Sequence, residues 1–365
     1  MKARLCHSLG MARASGFGLA SGLMVRTAAL WVCGLSLATW SAAALPAQDD
    51  RTPTLHVYAN LVQIPTLVVD RDQGPVAPIA EGRFFVSVDG GPKFRVTHVR
   101  PEGDDPISLA IVLDVSQAFP NLTMGIDDAI AGLAPLSLHA KDHVSVYSMD
   151  CKLVRSVNGA PADSVTLKQA VDVALQPWKT HGRERWTSEC KEPTNLWDSL
   201  AAVSRALSQQ PGRRVILVVT DGLDRGSKTT WNELRELAQE RGVAIFGLSQ
   251  TGDSMFRVGS RTFNSLCEMS GGIVLTASEK NIAEQLKRFA ALVRGRYIVE
   301  FPHPVDTMGG EHGMEITIEK SDAIALPTGI GIPVDDPAIL KDPTTVPLDP
   351  SSVPQMGKKK VISPN

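Results

Sequence analysis

Aromatic residues make up only 5% of this 365-residue chain, with three tyrosines, six tryptophans and ten phenylalanines. So few rings leave little material for a base-stacking platform. Charge of one sign is equally scarce: 37 Lys and Arg against 39 Asp and Glu leave a formal net charge of -2. That balance gives no general pull toward nucleic acid or an anionic membrane. There are five cysteines, Cys6, Cys33, Cys151, Cys190 and Cys267, and none forms a C-x-x-C pair. A cysteine-based zinc or redox centre therefore has no support. The motifs of common catalysts are missing too: no G-x-S-x-G, no H-E-x-x-H and no phosphate-cradling G-x-x-x-x-G-K. His98, His139, His143, His181, His303 and His312 are scattered and read as surface or strand-end residues rather than bases. The neighbouring Asp127 and Asp128 read as a solvated helix face. The expectation is a protein that is not an enzyme.

What is present begins with an export signal. Arg4, Arg13 and Arg26 precede an apolar run from Thr27 to Ala44 that ends in Ser41-Ala42-Ala43-Ala44. A basic region, an apolar core and small residues at an A-x-A site form the layout of a secretory signal peptide, assigned to residues 1–47. The alternative is an uncleaved anchor, since a run of about 18 residues approaches the length of a membrane span. Cleavage puts the mature start near Leu45 to Gln48 and implies a secreted or periplasmic protein with no span in the mature chain. In that oxidising setting Cys151 and Cys190 are expected to pair, leaving Cys267 as a buried apolar residue.

Hydrophobic residues amount to 43%, enough for a sizeable core. Residues 52–103 read as a small β-rich module, with β-formers flanking Asp89-Gly90, a hairpin signal. From Pro106 the pattern becomes strands alternating with helices. Ile107–Leu113 is an apolar run ending in Asp114, and Val215–Val219 is five consecutive apolar residues. Helical spacing marks residues 121–136, 164–175, 195–207, 230–241, 262–269 and 281–293, and Thr230-x-x-Glu233 is a capping box. Apolar strands between amphipathic helices predict an α/β doubly wound, mainly parallel sheet with helices on both faces over residues 104–295. The close strand pair around Cys151 supplies an antiparallel edge. Residues 296–333 read as a C-terminal β hairpin joining the β module, and 334–365 as a Pro-rich flexible tail. Lys358-Lys359-Lys360 leaves open a polybasic docking role for that tail.

Ligands of an open parallel sheet bind beyond the carboxyl ends of its strands. Asp114-Val115-Ser116-Gln117-Ala118, Asp150, Thr194-Asn195-Leu196-Trp197-Asp198 and Thr220-Asp221-Gly222 all arrive there. Carboxylates and hydroxyls from separate loops are the donor set of a hard divalent cation; ordinary loop capping is the alternative use of the same groups. Trp186, Arg183 and Arg185 lie in the segment just before Thr194 and are partner-binding candidates, aromatics and arginines being favoured at interface hot spots. The other reading of that segment is a loop packing its tryptophans on the domain.

The element order and these loops resemble the von Willebrand factor type A family. That family's metal-ion-dependent adhesion site uses D-x-S-x-S after the first strand, a threonine on a second loop and a later aspartate. Asp114, Ser116, Thr194 and Asp221 match it, whereas Ala118 stands where the pattern has its last serine. The opening Leu61-Val62-x-Ile64-Pro65, Val68-x-Asp70 and Gly74-Pro75-Val76 resembles the acidobacterial-type subgroup. The resemblance implies an exported module that binds a protein or extracellular-matrix partner, with Mg2+ (or Mn2+ or Ca2+) held weakly because Ala118 removes a ligand. A metal-free structural subunit of an envelope assembly and a metal-assisted hydrolase are the alternatives.

Overall fold

The computed structural model describes residues 61–115, 125–134, 137–150, 152–181, 195–250, 258–304, 310–328, 331–332, 341 and 353–357. Among the described residues five strands come before the first α-helix: β1 (Leu61–Val69), β2 (Phe84–Val88), β3 (Phe94–Arg95), β4 (His98–Pro101) and β5 (Ile107–Asp114). Then follow α1 (Ile126–Ala131), β6 (His143–Met149), β7 (Leu153–Pro161), α2 (Ser164–His181), α3 (Leu196–Leu207) and β8 (Arg213–Val219). The α/β run closes with α4 (Trp231–Glu240), β9 (Val243–Gln250), α5 (Val258–Met269), β10 (Val274–Ala277) and α6 (Ile282–Arg294). Five further strands end the described chain: β11 (Tyr297–Pro302), β12 (Gly310–Glu311), β13 (Met314–Ile318), β14 (Ile324–Pro327) and β15 (Gly331–Ile332).

The central sheet has the order β10-β9-β8-β5-β6-β7, parallel throughout except for β7, which runs antiparallel to β6. All eight residues of β5 are buried, Ser108 and Asp114 included, as a mainly apolar strand requires when helices cover both faces. Side chains alternate between those faces. Leu109, Ile111, Leu113, Leu217 and Phe246 pack with α1, α2 and α6, whereas Ala110, Val112, Ile216, Val218 and Ile245 pack with α3, α4 and α5. Each large side chain buried this way contributes about 1.5–3 kcal/mol. Helix α4 opens on the expected capping box: Thr230 Oγ1 accepts from Glu233 N–H and the Glu233 carboxylate accepts from Thr230 N–H. Helix α2 runs on to His181, past the Leu175 end suggested by the spacing.

The flanking segments build a β sandwich. One sheet has the order β14-β1-β11-β4 and the other β13-β2-β3, with Val62, Ile64, Val68, Val299 and Phe301 facing Phe84, Val86, Val88, Ile316 and Ile318. The β2–β3 hairpin turns on Asp89 (φ 50°) and Gly90 (φ 71°), the two left-handed residues that its turn signal implied. The hairpin expected within 296–333 does not form. Strand β11 pairs with β1 and β4, while β13 pairs with β2 in the opposite sheet. Both strands find their partners far earlier in the chain, so each completes a different layer of the sandwich. Odd-numbered Leu67 and Val69 of β1 point the other way, into the core of the α/β domain, and bind the two parts together.

The chain crosses between sandwich and α/β domain twice, and a buried ion pair joins the crossings. Arg296 Nε and Nη2 each donate to the Glu102 carboxylate at 2.7 Å, with the two side chains 1% and 0% exposed. Nearby, Arg294 pairs with Asp142, which also accepts from Ile107 N–H at 2.9 Å and His139 N–H at 2.6 Å. The tail is not wholly free: Val353 is buried and Met356 forms a parallel bridge to Val88. Met356 packs against the sandwich core. Gly91 is required there, because a Cβ on it would lie 2.3 Å from the Gln355 carbonyl oxygen.

The leader, Cys151 and Cys190 lie outside the described residues. No helix among the described residues is long and apolar enough to cross a membrane.

Candidate functional site

The strand order reverses between β5 and β8: the chain builds outward from β5 through β6 and β7, then returns to β8 and builds the other way. Such a switch point opens a crevice at the carboxyl ends of the strands, where ligands of open α/β sheets bind. Asp114 ends β5 and Thr220-Asp221 follow β8, all three buried. Parallel register sets Leu113 beside Val219, so the next residues meet: Thr220 Oγ1 donates to Asp114 Oδ2 at 2.8 Å. The same hydroxyl accepts from Gly222 N–H at 3.2 Å. The Asp221 carboxylate accepts from Leu223 N–H at 3.0 Å and pairs with Arg225, whose Nη2 meets Oδ2 and whose Nη1 lies 3.5 Å from Oδ1. Arg225 Nη1 also donates to the Leu223 carbonyl at 3.2 Å, which curls the side chain back over its own turn.

Two apolar contacts set this turn. Gly222 has φ 74°, and a Cβ there would come within 2.8 Å of the Phe263 ring. Phe263 in turn stacks on Trp197 of α3, ring centroids 6.4 Å apart. The start of α3 is then stitched to the loop after β8 by carboxylates. Asp224 accepts from Trp197 N–H at 3.2 Å, while Asp198 accepts from Lys228 N–H at 3.0 Å and Thr229 N–H at 2.8 Å. Ser227 Oγ accepts from Asp198 N–H at 3.1 Å and itself donates to Asp224 Oδ1, closing the network. Burial opposes the charge on Asp198, but the hydrogen bonds from Thr229 and Lys228 outweigh it and hold the carboxyl below its ordinary value.

A six-stranded, mainly parallel sheet with one reversed edge strand, helices on both faces and acidic strand ends at the switch point is the architecture the sequence resemblance implied. The fold is von Willebrand factor type A-like. No family model matches the sequence, and no curated protein matches it. Among solved structures the chain is similar to von Willebrand factor type A from Catenulispora acidiphila, at 14% identity and TM-score 0.40, over 66% of this chain and 51% of that one. It is also similar to proximal thread matrix protein 1 from the mussel byssus, at 13% identity and TM-score 0.41, over 62% of this chain and 50% of that one. The chain thus spans about half the length of these two. A third similar structure is the conserved hypothetical protein BatB from Bacteroides thetaiotaomicron, at 15% identity and TM-score 0.36, over 50% of this chain and 98% of that one.

Of the residues singled out in the sequence, Asp114 and Asp221 lie at the ends of the neighbouring strands β5 and β8, where Thr220 rather than Asp221 contacts Asp114. Ser116, Ala118, Thr194, Trp186, Arg183 and Arg185 lie outside the described residues. Cys267 is buried, and burial pushes its thiol well above the usual range. Sequence reading missed Asp224, Arg225 and Ser227, which organise the loop. The signal was the spacing Asp221-x-x-Asp224-Arg225 immediately after a strand end, where side chains readily satisfy turn amides. A divalent cation needs carboxylate oxygens turned toward one open point. Here a guanidinium already neutralises Asp221, and a hydroxyl takes one oxygen of Asp114. Among the described residues no group of three or more His, Cys, Asp or Glu side chains could hold a metal. In the described part of the site both carboxylates are thus engaged by the chain's own donors.

Proposed function

We propose that this chain is an exported binding module, not an enzyme, that holds a protein or matrix partner on the loops at the carboxyl end of its central sheet. The observation that carries the reading is the cross-stitched loop from Asp221 to Thr229. Its carboxylates are spent on ordering the loop and the start of α3, which leaves a shaped surface rather than a set of reactive groups. A surface ordered in advance loses little conformational freedom when a partner docks, and loops on a rigid scaffold are the usual place for recognition. Export follows from the leader, and the opening Leu61-Val62-x-Ile64-Pro65 is the mark by which we assign the acidobacterial-type subgroup.

Lys228 is an exposed residue of this loop whose backbone, not its side chain, holds the loop shape. Immobilised wild-type chain should retain a defined protein or matrix component from an envelope or extracellular fraction, and Lys228→Glu should retain several-fold less. Equal retention by both, with the variant melting normally, removes the loop face from the proposal. A parallel screen for hydrolysis with and without magnesium should find no turnover.

A further inference from the structure

We infer that Arg225 is the resident cation of this face, so that the site keeps its shape and binds its partner without a divalent metal. This rests on the proposed binding face but concerns only the chain's own chemistry. The Asp221 side chain is 8% exposed, so an unpaired negative charge there would be costly. Its compensation comes from within the same loop, four residues later, from a side chain that is itself only 28% exposed. Arg225 reaches back to both carboxylate oxygens, and its Nη1 is also satisfied by the Leu223 carbonyl. The left-handed Gly222 and the Phe263 ring beneath it fix the turn that makes this reach available.

A guanidinium stays charged at every physiological pH, so the compensation is permanent. A lysine in the same place would offer a point charge without the planar fork that spans two carboxylate oxygens. An incoming divalent ion would have to displace Arg225 from Asp221 or sit beside its positive charge. Either costs affinity. The site in this chain has therefore exchanged an external cation for an internal one.

The test needs no partner, so its result is independent of whether the proposed binding face is right. Titration calorimetry and thermal melts are run on the full mature chain with magnesium, manganese or a chelator. Wild type should show no saturable heat with manganese and the same melting temperature in chelator as in manganese. Arg225→Ala should melt several degrees lower in chelator, regain part of the loss with manganese, and show the saturable manganese binding that wild type lacks. Arg225→Lys should melt between the two and stay insensitive to manganese. The inference is overturned if wild type binds manganese and Asp221→Asn abolishes that binding. It is also overturned if Arg225→Ala melts like wild type, or melts lower without any response to manganese. Should Arg225→Ala fail to fold, the wild-type titration and Arg225→Lys decide the matter alone.

Discussion

Replacing Glu102 by Gln should destabilise the chain more than almost any other isosteric change, because it strands a buried positive charge. The Arg296 guanidinium is fixed by two 2.7 Å hydrogen bonds to Glu102, and the backbone repeats the link, with Glu102 N–H donating to the Arg296 carbonyl at 2.7 Å. Neither side chain is more than 1% exposed, so solvent cannot take over from the lost carboxylate. Breaking one partner of a buried pair costs about 3–5 kcal/mol. For a unit of this size that lowers the melting temperature by about 5–15 °C. The position sharpens the expectation: Glu102 precedes β5 and Arg296 precedes β11, so the pair clamps both crossings between sandwich and α/β domain. Among the described residues no acceptor meets Arg296 Nη1, so even the intact pair leaves one donor unmet. Glu102→Met with Arg296→Met together should therefore cost less than either single change, giving a strong coupling energy in a double-mutant cycle. Chemical denaturation followed by tryptophan fluorescence and circular dichroism supplies the four free energies. If Glu102→Gln stays within about 1 kcal/mol of wild type, or the two Met changes simply add, the clamp is not what holds the crossings.

Three further expectations follow from local contacts. Asp198→Ala removes the acceptor of the Lys228 and Thr229 amides, at a cost of about 1–3 kcal/mol, and amide exchange at those two positions should speed up while α4 stays protected. Gly91→Ala places a Cβ against the Gln355 carbonyl, so residues 353–357 should leave the sandwich and become the first site of limited proteolysis; unchanged cleavage would contradict the packing. The third concerns acid. Hydrogen bonds from Thr166 hold Asp163 below its ordinary value, those from Thr230 do the same for Glu233, and Asp198 is held down against burial by Thr229 and Lys228. Groups with a depressed folded-state value lend stability that is complete above the unfolded value and lost as pH falls through the folded one. Melting temperature should drop as pH falls through and below the ordinary carboxylate range, and a flat profile there would refute these assignments.

The parts of the molecule set by local patterning were legible in the sequence. Apolar runs marked β5 and β8, Thr230 and Glu233 marked the start of α4, and Asp89-Gly90 marked the β2–β3 turn, each a rule that acts within a few residues. The fate of β11 and β13 was not legible. Their alternation fits either sheet of a sandwich, and the choice is made by β1 and β2, far earlier in the chain. At the site the same division holds. Asp114 and Asp221 were legible because strand ends at a switch point are fixed by topology. Arg225 was missed: the spacing Asp221-x-x-Asp224-Arg225 after a strand end marks a side-chain-braced turn, but the direction in which the arginine turns is set only by the folded loop. The Glu102–Arg296 pair was hidden for a like reason: two charged residues 194 apart reveal their contact only when both crossings are folded.

The central claim, that a partner docks at the carboxyl end of the sheet, is tested most directly by site-specific photo-crosslinking. A photoreactive residue is placed at exposed Lys228 in the loop after β8, or at exposed Lys141 just before the amino end of β6, and each protein is illuminated with its retained partner. Crosslinks from position 228 and none from 141 are expected. Crosslinks from 141, or from both positions equally, would contradict the claim.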